Sequence, residues 1–85
     1  MTKKMDYPYQ RKIYFTNLNI SDACRLATAL NKSIATIEMI KHGLSVIPTN
    51  DLNSPLVLNV NDGKRIPMWS PSLNELISKD WMVLD

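Results

Sequence analysis

One cysteine, Cys24, in a chain of 85 residues means that no disulfide can staple this fold. A chain of this length buries only about 60–65% of the surface it exposes when unfolded. Stability must therefore come from one small apolar core, and residues 1–85 are expected to form a single domain. Knottin-like and cysteine-rich zinc-ribbon scaffolds are excluded, and a deep active site enclosed by one chain has little room. The hydrophobic fraction of 45% and charged fraction of 21% are those of a globular domain rather than a disordered segment.

Ten Lys and Arg against eight Asp and Glu leave a formal charge of +2, with a pI of about 8.8. That falls short of the concentrated basic face typical of nucleic-acid-binding domains. The excess sits at Lys3-Lys4 with Arg11-Lys12, and at Lys64-Arg65. The stretch from Met1 to Lys12 is polar and tyrosine-rich, without the apolar run of a secretory signal. No segment approaches the apolar length of a membrane span, and a free cysteine suits a reducing compartment. The expected location is the cytoplasm.

Local patterns predict an α+β domain: a small antiparallel sheet packed by one or two short helices. Residues 1–12 are expected to be an extended N-terminal segment, since Pro8 between Tyr7 and Tyr9 favours extended backbone. A short strand is expected at 12–15. Residues 21–31 are expected to be helical, with Ser21 as cap, Asp22 in the first turn and Asn31 as the stop. Ala23, Leu26, Ala27 and Leu30 give that helix one apolar face. Residues 33–39 are ambiguous: the β-branched Ile34, Thr36 and Ile37 favour a strand, with a second short helix as the alternative. Strand character returns at Leu44–Pro48 and Leu56–Val60. Asp62-Gly63 signals a type I′ turn into a partner strand from Arg65 to Trp69, and Pro67 makes that strand an edge or cuts it short. A helix is expected within 71–79, begun either by Pro71 at its first position or by a Ser72–Glu75 capping box. A final strand is expected from Trp81 to Leu84. Leu26, Leu30, Val57, Leu73, Leu76, Ile77 and Val83 should be core, and Trp81 is read as core rather than ligand-binding.

The catalytic inventory is thin. His42 reads as a solvated turn residue and Cys24 as a small buried hydrophobe. No spacing suits a metal site, and with two glycines there is no glycine-rich phosphate loop. The best binding candidate runs from Asn61 to Ser72. Its turn exposes Lys64 and Arg65, whose guanidinium fork fits phosphate. Trp69 offers a flat face for a base, and the following helix start offers backbone N–H groups for an anion. The plainer alternative is that Trp69 is core and Lys64-Arg65 merely solubilise a hairpin. A rival reading makes residues 22–43 a helix-turn-helix, with Ser33–Ile40 as recognition helix. That helix would carry Glu38 and no Arg or Gln toward base edges.

Ile47-Pro48-Thr49-Asn50, Asp62-Gly63-Lys64-Arg65, Trp69-Ser70-Pro71-Ser72-Leu73, Leu76-Ile77 and Asp80-Trp81-Met82-Val83 together resemble the second type of Thoeris anti-defence protein of phages. The resemblance covers roughly residues 20–85. It implies a phage protein, acting in the host cytoplasm, that sequesters the immune signal 1''-3' glycocyclic ADP-ribose without cleaving it and so blocks the Thoeris effector. It implies no cofactor and no catalytic residue. It also implies a homotetramer with ligand pockets between subunits, and in some members a separate site for cyclic dinucleotides. Where many relatives carry an Arg and, three residues on, a Trp after the first helix, this chain has Thr36 and Met39; Lys41, Tyr14 or an N-terminal Tyr are the candidates to compensate. The roles assigned on this basis are Trp69 against adenine, Arg65 and Lys64 on the diphosphate, Ser70 and Ser72 on ribose or phosphate, and Asn50 and Asp62 on ribose hydroxyls. The alternatives kept are the DNA-binding regulator and a direct protein inhibitor of a defence component. Nanomolar affinity, about −12 kcal/mol, spread over about 35 heavy atoms is near −0.3 kcal/mol per atom, so a sponge needs no covalent chemistry. A nucleotide pocket of about 300–1,000 Å³ is hard to enclose with one such chain, which favours a site between copies.

Overall fold

The structure is a computed structural model that describes residues 11–60 and 63–85. The extended segment expected over 1–12 lies outside the described residues apart from Arg11 and Lys12, and so does Asp62. Nine elements follow in order: β1 (Ile13–Leu18), α1 (Ile20–Leu30), β2 (Ser33–Ala35), α2 (Ile37–Lys41), β3 (Leu44–Pro48), β4 (Leu56–Val60), β5 (Arg65–Ile66), α3 (Leu73–Ile77) and β6 (Trp81–Leu84). The six strands form one sheet in the order β1-β6-β2-β3-β4-β5, and every pairing is antiparallel. The α+β architecture is as expected, with three helices rather than one or two.

The last strand is central. β6 is bonded to β1 on one side and to β2 on the other, and all four of its residues are buried. Trp81 and Val83 are fully buried, as their assignment to the core required. Successive side chains alternate between sheet faces and directly paired residues share one. Ile34, Val46, Leu58 and Val83 therefore lie on one face. Ser45 and Asn59 lie on the other.

α1 covers the apolar face through Ala23 and Ala27, both fully buried. Their small side chains let the helix axis approach the sheet closely. Its cap is Asn19, two residues before the expected cap Ser21, with Oδ1 accepting from the Asp22 N–H at 2.7 Å. Ser21 is not the cap, because Ile20 packs against the core and draws the chain into the helix earlier. The inward face is thus Ile20, Ala23, Cys24 and Ala27, which leaves Leu30 at 44% exposure. Asn31 stops the helix as expected, in the left-handed region at φ 59°, where Asn is tolerated better than most residues.

The ambiguous stretch divides. Ser33–Ala35 is a fully buried strand and Ile37–Lys41 is a single helical turn or so, capped by the Thr36 hydroxyl, which accepts from the Met39 N–H at 3.2 Å. This overturns the helix-turn-helix reading of residues 22–43. Ser33–Ala35, the first part of the segment needed for the recognition helix, pairs with β3 and β6 instead, and what remains is the five-residue helix α2.

α3 is shorter than predicted and begins with the capping box. The Ser72 hydroxyl accepts from the Glu75 N–H, and the Glu75 carboxylate accepts from the Ser72 N–H. Pro71 is not its first residue. Leu73, Leu76 and Ile77 were expected in the core but are 71%, 50% and 66% exposed. A five-residue helix at the rim of so small a sheet covers little beyond Trp81. Leu26 packs partly buried against the core and Val57 is partly buried on the opposite sheet face.

Candidate functional site

The hairpin that carries Lys64 and Arg65 forms the outer edge of the sheet. Asn59 pairs with Arg65 and the Val60 N–H donates to the Lys64 carbonyl at 2.9 Å. The expected Asp62-Gly63 turn falls partly outside the described residues. Gly63 holds φ 91°, a conformation that suits glycine. β5 ends after Ile66, as Pro67 predicted: an edge strand and a short one. Both Lys64 and Arg65 are exposed.

Met68 then adopts φ 59°, in the left-handed region, with its N–H donated to the Ser54 hydroxyl at 2.9 Å. This turn brings Trp69 back onto β4, where its N–H donates to the Leu56 carbonyl at 3.0 Å. The indole packs, half-buried, against the core that Leu56 and Leu58 also join. Arg65 shares its face with Asn59 and Ser45 instead. Trp69 and Arg65 thus belong to opposite sides of the sheet, and their attachment points on β4 are three residues, or about 10 Å, apart.

The remaining predicted residues are spread further. Asn50 is exposed in the β3–β4 loop, whose shape is held by Thr49 and Asp51: the Thr49 hydroxyl donates to the Ser54 carbonyl at 2.7 Å and the Asp51 carboxylate accepts from the Asn53 N–H at 2.9 Å. Ser70 is exposed. Ser72 lines an open cleft of about 490 Å³ with Thr36, Glu38, Glu75 and Asp80. Its three carboxylates make this cleft a poor host for phosphate. At the start of α3 the Glu75 carboxylate takes the Ser72 N–H, which removes that donor from the expected anion site.

A second open cleft, of about 500 Å³, lies between α1 and the β3–β4 end, walled by Cys24, Thr28, Ala29, Pro48, Pro55 and Leu56. Burial pushes the Cys24 thiol up, so it is a weak nucleophile and fits the reading of a small hydrophobe. His42 is exposed, 3.7 Å from the Glu38 carboxylate. Thr36 and Met39 are a helix cap and a buried core residue.

Sequence reasoning missed a polar row on the face opposite α1. Arg11 donates from Nη1 to the Ser45 hydroxyl at 3.0 Å, and Asn59 Nδ2 lies 3.5 Å from the same oxygen. Ser45 is fully buried. The available signal was alternation: Ser45, Asn59 and Arg65 interrupt otherwise apolar strands at positions that face one way. Among the described residues no group of His, Cys, Asp and Glu could hold a metal ion, and no helix is long and apolar enough to cross a membrane. No family model, curated protein or solved structure matches the chain.

Proposed function

We propose that the protein binds a cyclic ADP-ribose-type signalling nucleotide, 1''-3' glycocyclic ADP-ribose, and retains it uncleaved in the host cytoplasm, keeping a Thoeris effector inactive. The observation that carries this reading is the closing motif, from Gly63-Lys64-Arg65 through Trp69-Ser70-Pro71-Ser72-Leu73 to Asp80-Trp81-Met82-Val83. It is the segment that resembles the phage anti-defence family. Arg65 and Lys64 supply cationic donors at an exposed edge, suited to a diphosphate. No cofactor is required, and retention rather than turnover is the activity.

The same reading calls for a homo-oligomer, a tetramer in the family, with the ligand held between subunits. Two features favour this. The two clefts described above are open to solvent, and Trp69 and Arg65 sit on opposite sides of one sheet, which favours a ligand held between two chains over one enclosed by a single chain. A separate site for cyclic dinucleotides is part of the proposal. The test is incubation with purified glycocyclic ADP-ribose, removal of the protein by filtration, then heat release. The signal should vanish from the filtrate and return unchanged on heating. A modified product, or no depletion, overturns the reading.

The exposed Leu73, Leu76 and Ile77 of α3 favour one alternative, a protein that inhibits a defence component by direct contact. Co-purification with that component in the absence of ligand depletion would establish it.

A further inference from the structure

The polar row on the sheet face opposite α1 contains more donors than acceptors. Ser45, Asn59 and Arg65 stand side by side on β3, β4 and β5, spanning about 10 Å at the usual strand spacing. Arg11 reaches over the row to the Ser45 hydroxyl and uses one of its five N–H groups there. Neither arginine makes an ion pair among the described residues, and the Arg65 side chain has no hydrogen-bond partner among them. The carboxylate whose charge reaches Arg11 is Asp85. It is already engaged by Lys32 at 2.8 Å and by the Tyr14 hydroxyl at 3.0 Å.

A half-buried guanidinium such as that of Arg11, with no carboxylate bound to it among the described residues, is costly unless an anion completes its hydrogen bonding. Phosphate oxygens accept bidentate bonds from guanidinium forks, and two forks about two strands apart suit two linked phosphoryl groups better than one. The row is open at the β5 edge, where Arg65 is exposed, and closed toward the centre, where Ser45 is buried.

We infer that Arg11 and Arg65, with Asn59 and Ser45 between them, form a diphosphate-binding surface on this face of the sheet. The inference rests on the nucleotide-binding reading for its ligand, a nucleoside diphosphate sugar, and adds residues and a face that the closing motif does not contain. Arg11 and Arg65 each clamp one phosphoryl group, and Asn59 donates to the bridging region.

The experiment is titration of the full chain by calorimetry with inorganic pyrophosphate and, separately, with glycocyclic ADP-ribose, for the wild type, Arg65→Ala, Arg11→Lys and Arg11→Ala. Arg11→Lys keeps the charge and guards against misfolding; near-ultraviolet circular dichroism checks each variant. Pyrophosphate binding that weakens about tenfold or more in Arg65→Ala and in Arg11→Lys supports the surface. If both probes bind and the variants bind them as wild type does, the surface is wrong while the nucleotide reading stands. If pyrophosphate binds in an arginine-dependent way and the cyclic nucleotide does not, the surface stands and the nucleotide reading falls. Binding of neither probe overturns both.

Discussion

The indole of Trp81 donates its Nε1 hydrogen to the backbone carbonyl of Glu75 at 2.8 Å. This bond ties the buried central strand β6 to the last turn of α3. It gives a second donor to a carbonyl in the last turn that the Ser78 N–H also reaches, at 3.4 Å. It also explains why a five-residue helix, far below the length at which helices persist alone, is held in place.

Trp81→Phe should therefore destabilise the domain by about 2–4 kcal/mol, from a lost buried hydrogen bond and a partly filled void. Urea denaturation followed by circular dichroism measures it. A change within about 0.5 kcal/mol would mean that α3 is anchored elsewhere.

Ser72 has two competing roles, ligand contact and helix cap. Its hydroxyl accepts from the Glu75 N–H at 3.3 Å, so Ser72→Ala should lower stability by about 1 kcal/mol. Ligand retention in the filtration assay should stay at wild-type level when the assay is run well below the melting temperature. Lost retention in a fully folded variant restores the contact role.

Asp85 joins three parts of the fold. Its carboxylate meets Lys32, between α1 and β2, and Tyr14 of β1, while its N–H donates to the Lys12 carbonyl at 3.0 Å. Tyr14 also has the Lys12 and Lys32 ammonium groups within 5.1 and 5.0 Å of its ring. The hydrogen bonds from Lys32 and then Tyr14 hold the Asp85 carboxyl below the ordinary aspartate value. Its stabilisation is thus present above that value and is lost as the pH falls through the lowered one. Lys32 is raised, chiefly by Asp85, so its share is present below the ordinary lysine value and is lost as the pH rises through the raised one. Both groups are open to water, so the effect is small. Wild type and Asp85→Asn should differ in urea midpoint at neutral pH and converge in acid. A pH-independent gap would remove the ion pair from the account.

Leu73, 71% exposed, opens α3, where a carboxylate suits the helix dipole. Leu73→Asp should leave the fold of the single chain intact. If α3 is the contact between copies, it should split the assembly, read by light scattering at several concentrations. An unchanged oligomer excludes α3 from the interface.

Short-range chemistry was legible along the chain. The bounds of β3, β4 and β6, the Asn31 stop and the Ser72–Glu75 box follow from residues within a few positions of one another. The candidate site was less legible. Lys64 and Arg65 are exposed at an edge as expected, but Trp69 turns to the other side of the sheet because Met68 takes a left-handed conformation. Arg11 and Ser45 lie 34 positions apart, and only the sheet register brings Asn59 and Arg65 beside them.

By itself the sequence determined an α+β domain without covalent staples, its main strands, the Asn31 stop and the Ser72–Glu75 capping box, which depend on local hydrogen bonding. Tertiary structure decided the rest. It divided residues 33–41 into a strand and a helical turn, because pairing with β3 and β6 outweighs local propensity for three residues. It placed β6 in the middle of the sheet. It turned the α1 face by Ile20 burial, and it left the apolar side of α3 uncovered, because a six-stranded sheet with one long helix has no further surface to set against it.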